Sequence, residues 1–149
     1  MSKDAIHGLK PQALWQRFYE LTQVPRPSKK EEKIQAHLMN FAKENKIDAA
    51  KDKTGNVLLK FPASKGCEKS QTVILQGHVD MVCEKNKNKV HDFENDPIEL
   101  LREGDWITAN GTTLGADNGI GVAAAIAAAM DKNAKHGPLE VLCTSDEET

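Results

Sequence analysis

Residues 72–80 read TVILQGHVD, a short apolar run followed at once by a histidine and an aspartate. Short apolar runs rich in β-branched residues are typical of buried strands in a covered sheet. A second run of the same character, residues 139–148 (LEVLCTSDEE), ends in acidic residues. We therefore predict two buried strands, Thr72–Gln76 and Leu139–Thr144, each followed by polar side chains at its carboxyl end.

Helical and extended patterns alternate along the rest of the chain, and there is no internal repeat. The predicted helices are Pro11–Thr22, a helix that starts at a capping box (Ser28 with Glu31) and ends near Asn45, and the alanine-rich, buried Asn118–Met130. The predicted hairpins join Ile47–Lys51 to Asn56–Phe61, and Ile98–Leu101 to Trp106–Ala109. This mixture predicts an α/β domain with a mixed, partly parallel sheet flanked by helices.

The bulk composition excludes several classes of protein. The chain has 149 residues and a formal charge of −2 from 20 basic and 22 acidic residues, whereas nucleic-acid-binding proteins usually carry a basic excess. The longest apolar run, Val122–Met130, is too short to span a bilayer, and the amino terminus lacks the apolar stretch of a signal peptide. The three cysteines form no CxxC pair, which favours a reducing compartment. We expect a cytoplasmic protein with no nucleic-acid partner and no membrane partner.

Three short polar segments lie where the predicted buried elements begin or end. Gly77–Asp80 (GHVD) follows the first strand, Asp146–Glu148 (DEE) follows the second, and Gly115–Gly119 (GADNG) opens the alanine-rich helix. In open α/β sheets, ligand sites gather outside the carboxyl ends of the strands. If the two strands are neighbours, one histidine and several carboxylates converge at that edge of the sheet.

Such a cluster of carboxylates requires a compensating charge. Carboxylates held close together beside an apolar sheet repel one another and raise one another's pKa values. A divalent cation removes that cost, and imidazole and carboxylate groups bind such ions readily. Two cations that share one carboxylate neutralise still more charge, and hydrolases use such pairs to activate water and polarise a carbonyl group. The three segments therefore predict a hydrolytic site with two metal ions.

The spacing of the polar residues suggests a separate role for each of them. In an extended chain His78 and Asp80 lie on one face, and a ligand histidine usually donates its other ring N–H to a carboxylate. Asp80 is then placed to orient His78 as a metal ligand. The adjacent Glu147 and Glu148 cannot easily share one role, so we infer that one ligates metal while the other accepts a proton from water.

Simpler interpretations of the same residues stay open. Asp117 could do no more than cap the helix that follows it, because aspartate is a favoured N-cap residue. The acidic residues Asp146–Glu148 could form a solvated loop. The stretch GADNGIG (115–121) could suggest a nucleotide-binding loop, but it matches neither G-x-G-x-x-G nor G-x-x-x-x-G-K-[ST].

The three segments also resemble a known superfamily. GHVDMV (77–82), GTTLGADNGIG (111–121) and SDEE (145–148) are similar to the zinc-dependent aminoacylases, carboxypeptidases and dipeptidases. Within that superfamily the chain most resembles the Xaa-His dipeptidases, or aminoacyl-histidine dipeptidases. LKPQALWQRFYELTQVPRPSKKEE, NVLLKFPAS and DFENDPIEL resemble the same subgroup, so the resemblance covers nearly the whole chain.

The resemblance implies a site with two zinc ions, for which Co²⁺ or Mn²⁺ could substitute. His78 would ligate one zinc and Asp80 would orient it. Asp117 would bridge both zincs, and Glu148 would ligate the second. Glu147 would be the general base that takes a proton from the attacking water. In this superfamily the peptide bond after the bridging aspartate is typically cis.

The resemblance also implies a larger protein. Its members have a zinc-peptidase α/β domain interrupted by a smaller lid or dimerisation domain, and they supply another carboxylate ligand and a late histidine ligand downstream. Residues 1–149 would then be the amino-terminal part of the catalytic domain, without the lid and inactive alone. A homodimeric parent protein is compatible with this family.

The activity implied is hydrolysis of short peptides, in particular carnosine-like dipeptides that end in histidine. The expected partner is a small peptide substrate. A related amidohydrolase, such as an N-acyl amino acid deacylase or a tripeptidase, could carry the same metal set. A catalytically incomplete fragment is the third interpretation.

Overall fold

Residues 2–149 are described by a computed structural model, in which three α-helices pack around a mixed sheet. The helices are α1 (Gln12–Thr22), α2 (Glu32–Glu44) and α3 (Ala116–Met130), preceded by a 3₁₀ helix at Ser2–Ile6. The strands are β1 (Asp48–Lys51), β2 (Val57–Phe61), β3 (Val73–His78), β4 (Leu100–Glu103), β5 (Trp106–Ala109) and β6 (Leu139–Thr144). The prediction of an α/β domain with a helix-flanked mixed sheet is confirmed.

The central sheet has four strands in the order β1–β2–β6–β3. Strand β3 runs parallel to β6, with Val73 opposite Leu139 and His78 opposite Thr144. Strand β2 is antiparallel to both β1 and β6. Because β3 and β6 are parallel neighbours, their carboxyl ends lie side by side, and the polar segments that follow them meet.

Both predicted hairpins are present. Strands β1 and β2 pair antiparallel, and β4 and β5 form a separate two-stranded sheet. The fourth strand begins two residues later than predicted, at Leu100, because Ile98 is already buried and its N–H donates to the carbonyl of Thr22 instead of entering the hairpin.

The core lies between the sheet and one face of each helix. Strands β2 and β6 bury alternate side chains, as a half-covered sheet requires. The buried side chains of these strands are Val57, Leu59, Phe61, Leu139, Val141 and Cys143. Helix α3 packs against α1 and β3 and buries Val122, Ala123 and Ile126, but Ala128 and Met130 are exposed. The prediction of a buried helix is therefore wrong for the outer face of α3. Among the helices of residues 2–149, none combines the length and the apolar character needed to cross a bilayer.

The first half of β3 is not buried, although the apolar run predicts burial. The side chains of Val73 and Ile74 are 49% and 57% exposed, because β3 is the edge strand of the sheet formed by the described residues. Gln76 is exposed as well, and only Gly77 and His78 at the end of the strand are buried, together with Val79 and Asp80 just after it. Helix α3 and the loop before α2 pack against this end of β3. An apolar pattern identifies the strand but not its place in the sheet.

The predicted capping box of α2 is wrong. The residue at the N-cap position is Glu31, and no side chain caps the helix. Ser28 Oγ donates a hydrogen bond to Asp80 Oδ2 over 2.8 Å, and Glu31 Oε1 accepts one from the backbone N–H of Asp146 over 2.9 Å. Both side chains that would form the box are thus bound to segments far away in the sequence.

Candidate metal centre

The three polar segments meet beyond the carboxyl ends of β3 and β6. His78 is the last residue of β3, Glu147 and Glu148 lie just after β6, and Asp117 lies at the start of α3. Ligand atoms of His78, Asp117 and Glu148 all lie within 4.8 Å of one another. Residues that are far apart in the sequence therefore present one imidazole and several carboxylates to a single point.

The imidazole of His78 is held between carboxylates on both of its nitrogens. Its Nδ1 lies 3.2 Å from Asp80 Oδ1, and its Nε2 lies 2.9 Å from Asp117 Oδ1 and 3.7 Å from Glu147 Oε2. Burial lowers the pKa of His78, but the hydrogen bond with Asp117 and the charges of Asp80 and Glu147 outweigh it, so the pKa is raised above its usual value of 6.5. The ring is thus set to favour a positive charge, from a proton or from a cation, at Nε2.

The carboxylate of Asp80 is fully buried and fixes several groups at once. It accepts hydrogen bonds from Ser28 Oγ and from the backbone N–H groups of Glu147 and Glu148, the last two over 3.1 Å. Burial raises the pKa of Asp80, but these hydrogen bonds and the nearby His78 hold it below the usual 3.8. Asp80 therefore stays charged, and it sets both the tilt of the imidazole and the position of the glutamate pair.

Asp117 occupies a break at the start of α3 and does not cap the helix. Its backbone angles are non-helical (φ −86°, ψ 112°), and the N-cap residue is Gly115, whose φ of +70° favours glycine. The Asp117–Asn118 peptide bond is cis, as the resemblance implies. The side chain of Asp117 is 81% exposed and points its Oδ1 at His78. The helix-cap interpretation of Asp117 is therefore wrong, because its carboxylate faces the imidazole.

The donor set at this point fits a divalent cation. Imidazole nitrogen together with carboxylate oxygens is a common ligand set for zinc. The carboxylates of Asp117, Glu147 and Glu148 approach the same side of His78, so their charges repel one another until a cation lies among them. These residues can therefore hold a metal ion.

The second half of the chain matches a known protein family. The profile of Peptidase family M20/M25/M40 matches residues 74–149, the part of the chain that contains every candidate site residue. The chain belongs to this peptidase family.

Relatives of this M20-family chain are much longer than it is. It is 48% identical over 143 residues to the cytosol non-specific dipeptidase of Escherichia coli (strain K12), a match that covers 96% of this chain and 30% of that protein. The crystal structure of aminoacylhistidine dipeptidase from Vibrio alginolyticus is 48% identical, with a TM-score of 0.93, and the match covers 100% of this chain and 31% of that one.

A more distant solved structure has the same fold. The Bacillus subtilis YXEP protein, described as a dinuclear metal binding peptidase from the M20 family, matches with 14% identity and a TM-score of 0.54, over 91% of this chain and 35% of that one. The chain thus spans about a third of the length of the proteins that it matches.

The structure brings all five predicted site residues of this M20-family chain together. These are His78, Asp80, Asp117, Glu147 and Glu148. Their individual roles as ligands, orienting group and base stay predictions.

Sequence reasoning missed the loop before α2, which lies against the same site. Arg26 is 2% exposed there, and Ser28 binds Asp80. The signal in the sequence is an arginine between Pro25 and Pro27, and because prolines break helices, this stretch by itself predicts only that α1 has ended.

Proposed function

We propose that the protein containing this chain is a two-zinc dipeptidase that prefers dipeptides with a carboxy-terminal histidine. The observation that carries the proposal is the convergence of His78, Asp117 and Glu148, whose ligand atoms lie within 4.8 Å of one another at the edge of the sheet. Membership of the M20 peptidase family supports peptide-bond hydrolysis as the reaction.

His78, Asp117 and Glu148 would hold the metal ions, with Asp117 between the two. Zinc suits a site of imidazole and carboxylate ligands, and Co²⁺ or Mn²⁺ could substitute. The dinuclear description of the Bacillus subtilis relative supports a pair of ions. When bound, such a pair lowers the pKa of a water molecule and polarises the scissile carbonyl group.

Glu147 is the proposed general base. Its backbone N–H is fixed by Asp80, whereas its side chain is 60% exposed and reaches to 3.7 Å from His78 Nε2. The residue is therefore held through its backbone, while its carboxylate is open to solvent beside His78. It would take a proton from the attacking water and deliver it to the leaving amine.

The substrate assignment follows the Escherichia coli and Vibrio alginolyticus relatives. One is named a non-specific dipeptidase and the other an aminoacylhistidine dipeptidase, and both names indicate dipeptides. The preference for histidine is the finer part of the proposal. We also propose a cytoplasmic location, which the cytosolic description of the Escherichia coli relative supports.

We propose that residues 1–149 form the amino-terminal part of a larger catalytic domain. The matches cover only 30% and 31% of the two relatives, so most of a comparable protein lies outside this chain. Further metal ligands and a lid or dimerisation domain would come from that remainder, in a protein that forms a homodimer. The isolated 149-residue chain is accordingly expected to be inactive.

The proposal is tested by assaying the intact, zinc-loaded protein against Xaa-His dipeptides, other dipeptides, tripeptides and N-acyl amino acids. Dipeptides should be hydrolysed, and those ending in histidine fastest. Clear preference for tripeptides or for N-acyl amino acids would replace the dipeptidase assignment by the related amidohydrolase. Equal rates for all dipeptides would remove only the histidine preference.

The base is tested separately with Glu147→Gln. This variant should retain its zinc and lose roughly 10²–10⁴-fold in kcat, the usual contribution of a general base. Glu103→Gln, an exposed glutamate in β4, is the matched control and should keep full turnover. Near-normal turnover by Glu147→Gln would show that another group moves the proton.

A further inference from the structure

The loop before α2 contacts each of the three segments that form the candidate metal centre. The Arg26 guanidinium donates from Nη1 to the carbonyl of Val79 over 2.9 Å and to the carbonyl of Asp80 over 3.3 Å. The backbone N–H of Met81 returns a hydrogen bond to the carbonyl of Arg26 over 3.1 Å. Arg26 thus fixes the backbone immediately after His78.

The same guanidinium also fixes the segment that carries Asp117. Its Nη2 donates to the carbonyl of Gly115 over 2.5 Å. A Cβ atom at Gly115 would lie 2.5 Å from this nitrogen, and one at Gly119 would lie 2.8 Å from it. The two glycines of the GADNG segment therefore leave the space that the guanidinium fills.

Two further residues of the loop complete the set of contacts. Ser28 Oγ donates to Asp80 Oδ2 over 2.8 Å, on the carboxylate that faces His78. Glu31 Oε1 accepts from the backbone N–H of Asp146 over 2.9 Å, directly before the glutamate pair. The loop is thus hydrogen-bonded to the ends of β3 and β6 and to the start of α3.

We propose that Arg26, with Ser28 and Glu31, forms a positioning segment that holds the three ligand-bearing segments at the spacing a metal pair requires. The inference rests on the proposed two-zinc site and adds residues that touch neither metal nor substrate. Groups that orient metal ligands are typically worth 10–100-fold in metal affinity or activity.

The side chain of Arg26 is both buried and charged. The side chain is 2% exposed, and burial lowers its pKa to about 10, an effect that the charge of Asp80 partly opposes. It therefore remains charged at neutral pH, so all three hydrogen bonds are charge-assisted. The bonds to the carbonyls of Val79 and Gly115, over 2.9 and 2.5 Å, are short, and the one to Asp80, over 3.3 Å, is longer. Lysine could not make them all, because it lacks the planar fork of donors.

The test compares Arg26→Met with Arg102→Met in the intact protein. Arg102 also donates to backbone carbonyls, those of Gly104 and His7, but it lies in β4, outside the metal centre. Each variant is titrated with Zn²⁺ and then loaded with Co²⁺, whose visible spectrum reports the ligand geometry. Arg26→Met should bind Zn²⁺ about 10–100-fold more weakly and change the Co²⁺ spectrum, while Arg102→Met should do neither. Arg26→Lys should restore only part of the affinity.

The outcomes separate this inference from the proposed function. A folded Arg26→Met protein with the Zn²⁺ affinity and the Co²⁺ spectrum of the wild type would overturn the inference and leave the proposed function intact. If Arg26→Met does not fold, Ser28→Ala decides, because it removes only a hydroxyl, which donates to Asp80 Oδ2 over 2.8 Å and lies 3.4 Å from the carbonyl oxygen of Met81. Weaker Zn²⁺ binding by this variant supports the inference, and unchanged binding overturns it. Failure of the wild-type protein to bind Zn²⁺ would overturn the proposed function and this inference with it.

Discussion

Asp80 and Asp117 both face the imidazole of His78, but in opposite surroundings. Asp80 contacts Nδ1, is fully buried and accepts three further hydrogen bonds. Asp117 contacts Nε2 and is 81% exposed. One carboxylate is thus fixed on every side, while the other is open on the side where a ligand would bind.

The contrast separates a group that positions from a group that binds. A buried carboxylate whose hydrogen bonds are already made has little capacity left for a metal ion, and losing it leaves buried donors without an acceptor. An exposed carboxylate beside a histidine and two glutamates contributes little to folding and gains most from a cation. Substitutions at the two aspartates should therefore affect different properties of the protein.

Asp117→Ala should have the largest effect, because its carboxylate is proposed to lie between two cations. The zinc content should fall below two per subunit, and dipeptide turnover should fall by about 10⁴-fold, equivalent to several kcal/mol of lost charge stabilisation. Elemental analysis and steady-state kinetics measure both quantities. Asp105→Ala, an exposed aspartate between β4 and β5, is the control and should change neither. Full zinc content in Asp117→Ala would exclude its role as a ligand.

Asp80→Asn should have a smaller effect on metal binding. The amide keeps the size of the side chain but removes the charge that orients His78, so zinc should bind about 10–100-fold more weakly with unchanged stoichiometry. Competition with a chelator of known affinity measures this change. Loss of an entire ion would instead show that Asp80 is itself a ligand and not an orienting group.

For the stability of the metal-free protein, substitution of Asp80 should have a larger effect than substitution of Asp117. Asp80→Ala leaves Ser28 Oγ and two backbone N–H groups without their acceptor and should lower the free energy of unfolding by about 3 kcal/mol. Asp117→Ala should change it by less than about 0.5 kcal/mol, as is usual for exposed positions. Denaturant unfolding in the presence of a chelator measures both values. Equal losses of unfolding free energy in the two variants would show that Asp80 and Asp117 do not differ in their contribution to folding.

The smallest effect should appear in the pH dependence of the stability of the metal-free protein. The pKa of Asp80 is lower in the folded protein than its usual 3.8. At pH values between the folded-state pKa and 3.8, the unfolded chain therefore binds more protons than the folded protein. The contribution of Asp80 is complete above the usual pKa and is lost as the pH falls through the folded-state value. Asp80→Asn should flatten the acid limb of the stability curve of the chelated protein, and an unchanged slope would contradict the lowered pKa.

The sequence predicted the site better than its surroundings, for a physical reason. Parallel β3 and β6 bring their carboxyl ends together, so motifs that directly follow the two strands meet whatever the details of the loops. The spacing of His78 and Asp80 likewise requires only an extended backbone. These inferences depend on local geometry and on one topological condition, that the strands are neighbours.

The features that the sequence did not predict depend on partners far away in the chain. Ser28 and Glu31 have the spacing of a capping box, but Asp80 and the backbone of Asp146 bind them instead. Nothing local indicates that Arg26 is buried, because its three acceptor carbonyls come from two other segments. The exposure of β3 depends on its place at the edge of the sheet, which the apolar pattern does not encode.

The most direct test of the metal centre is anomalous diffraction at the zinc edge from crystals of the intact, zinc-loaded protein. We predict two peaks about 3.5–4 Å apart, one of them about 2.1 Å from His78 Nε2, with Asp117 between the ions and Glu148 on the second. A map without a peak beside His78, or with zinc bound to Asp80 in place of Asp117, would contradict the proposed two-zinc centre.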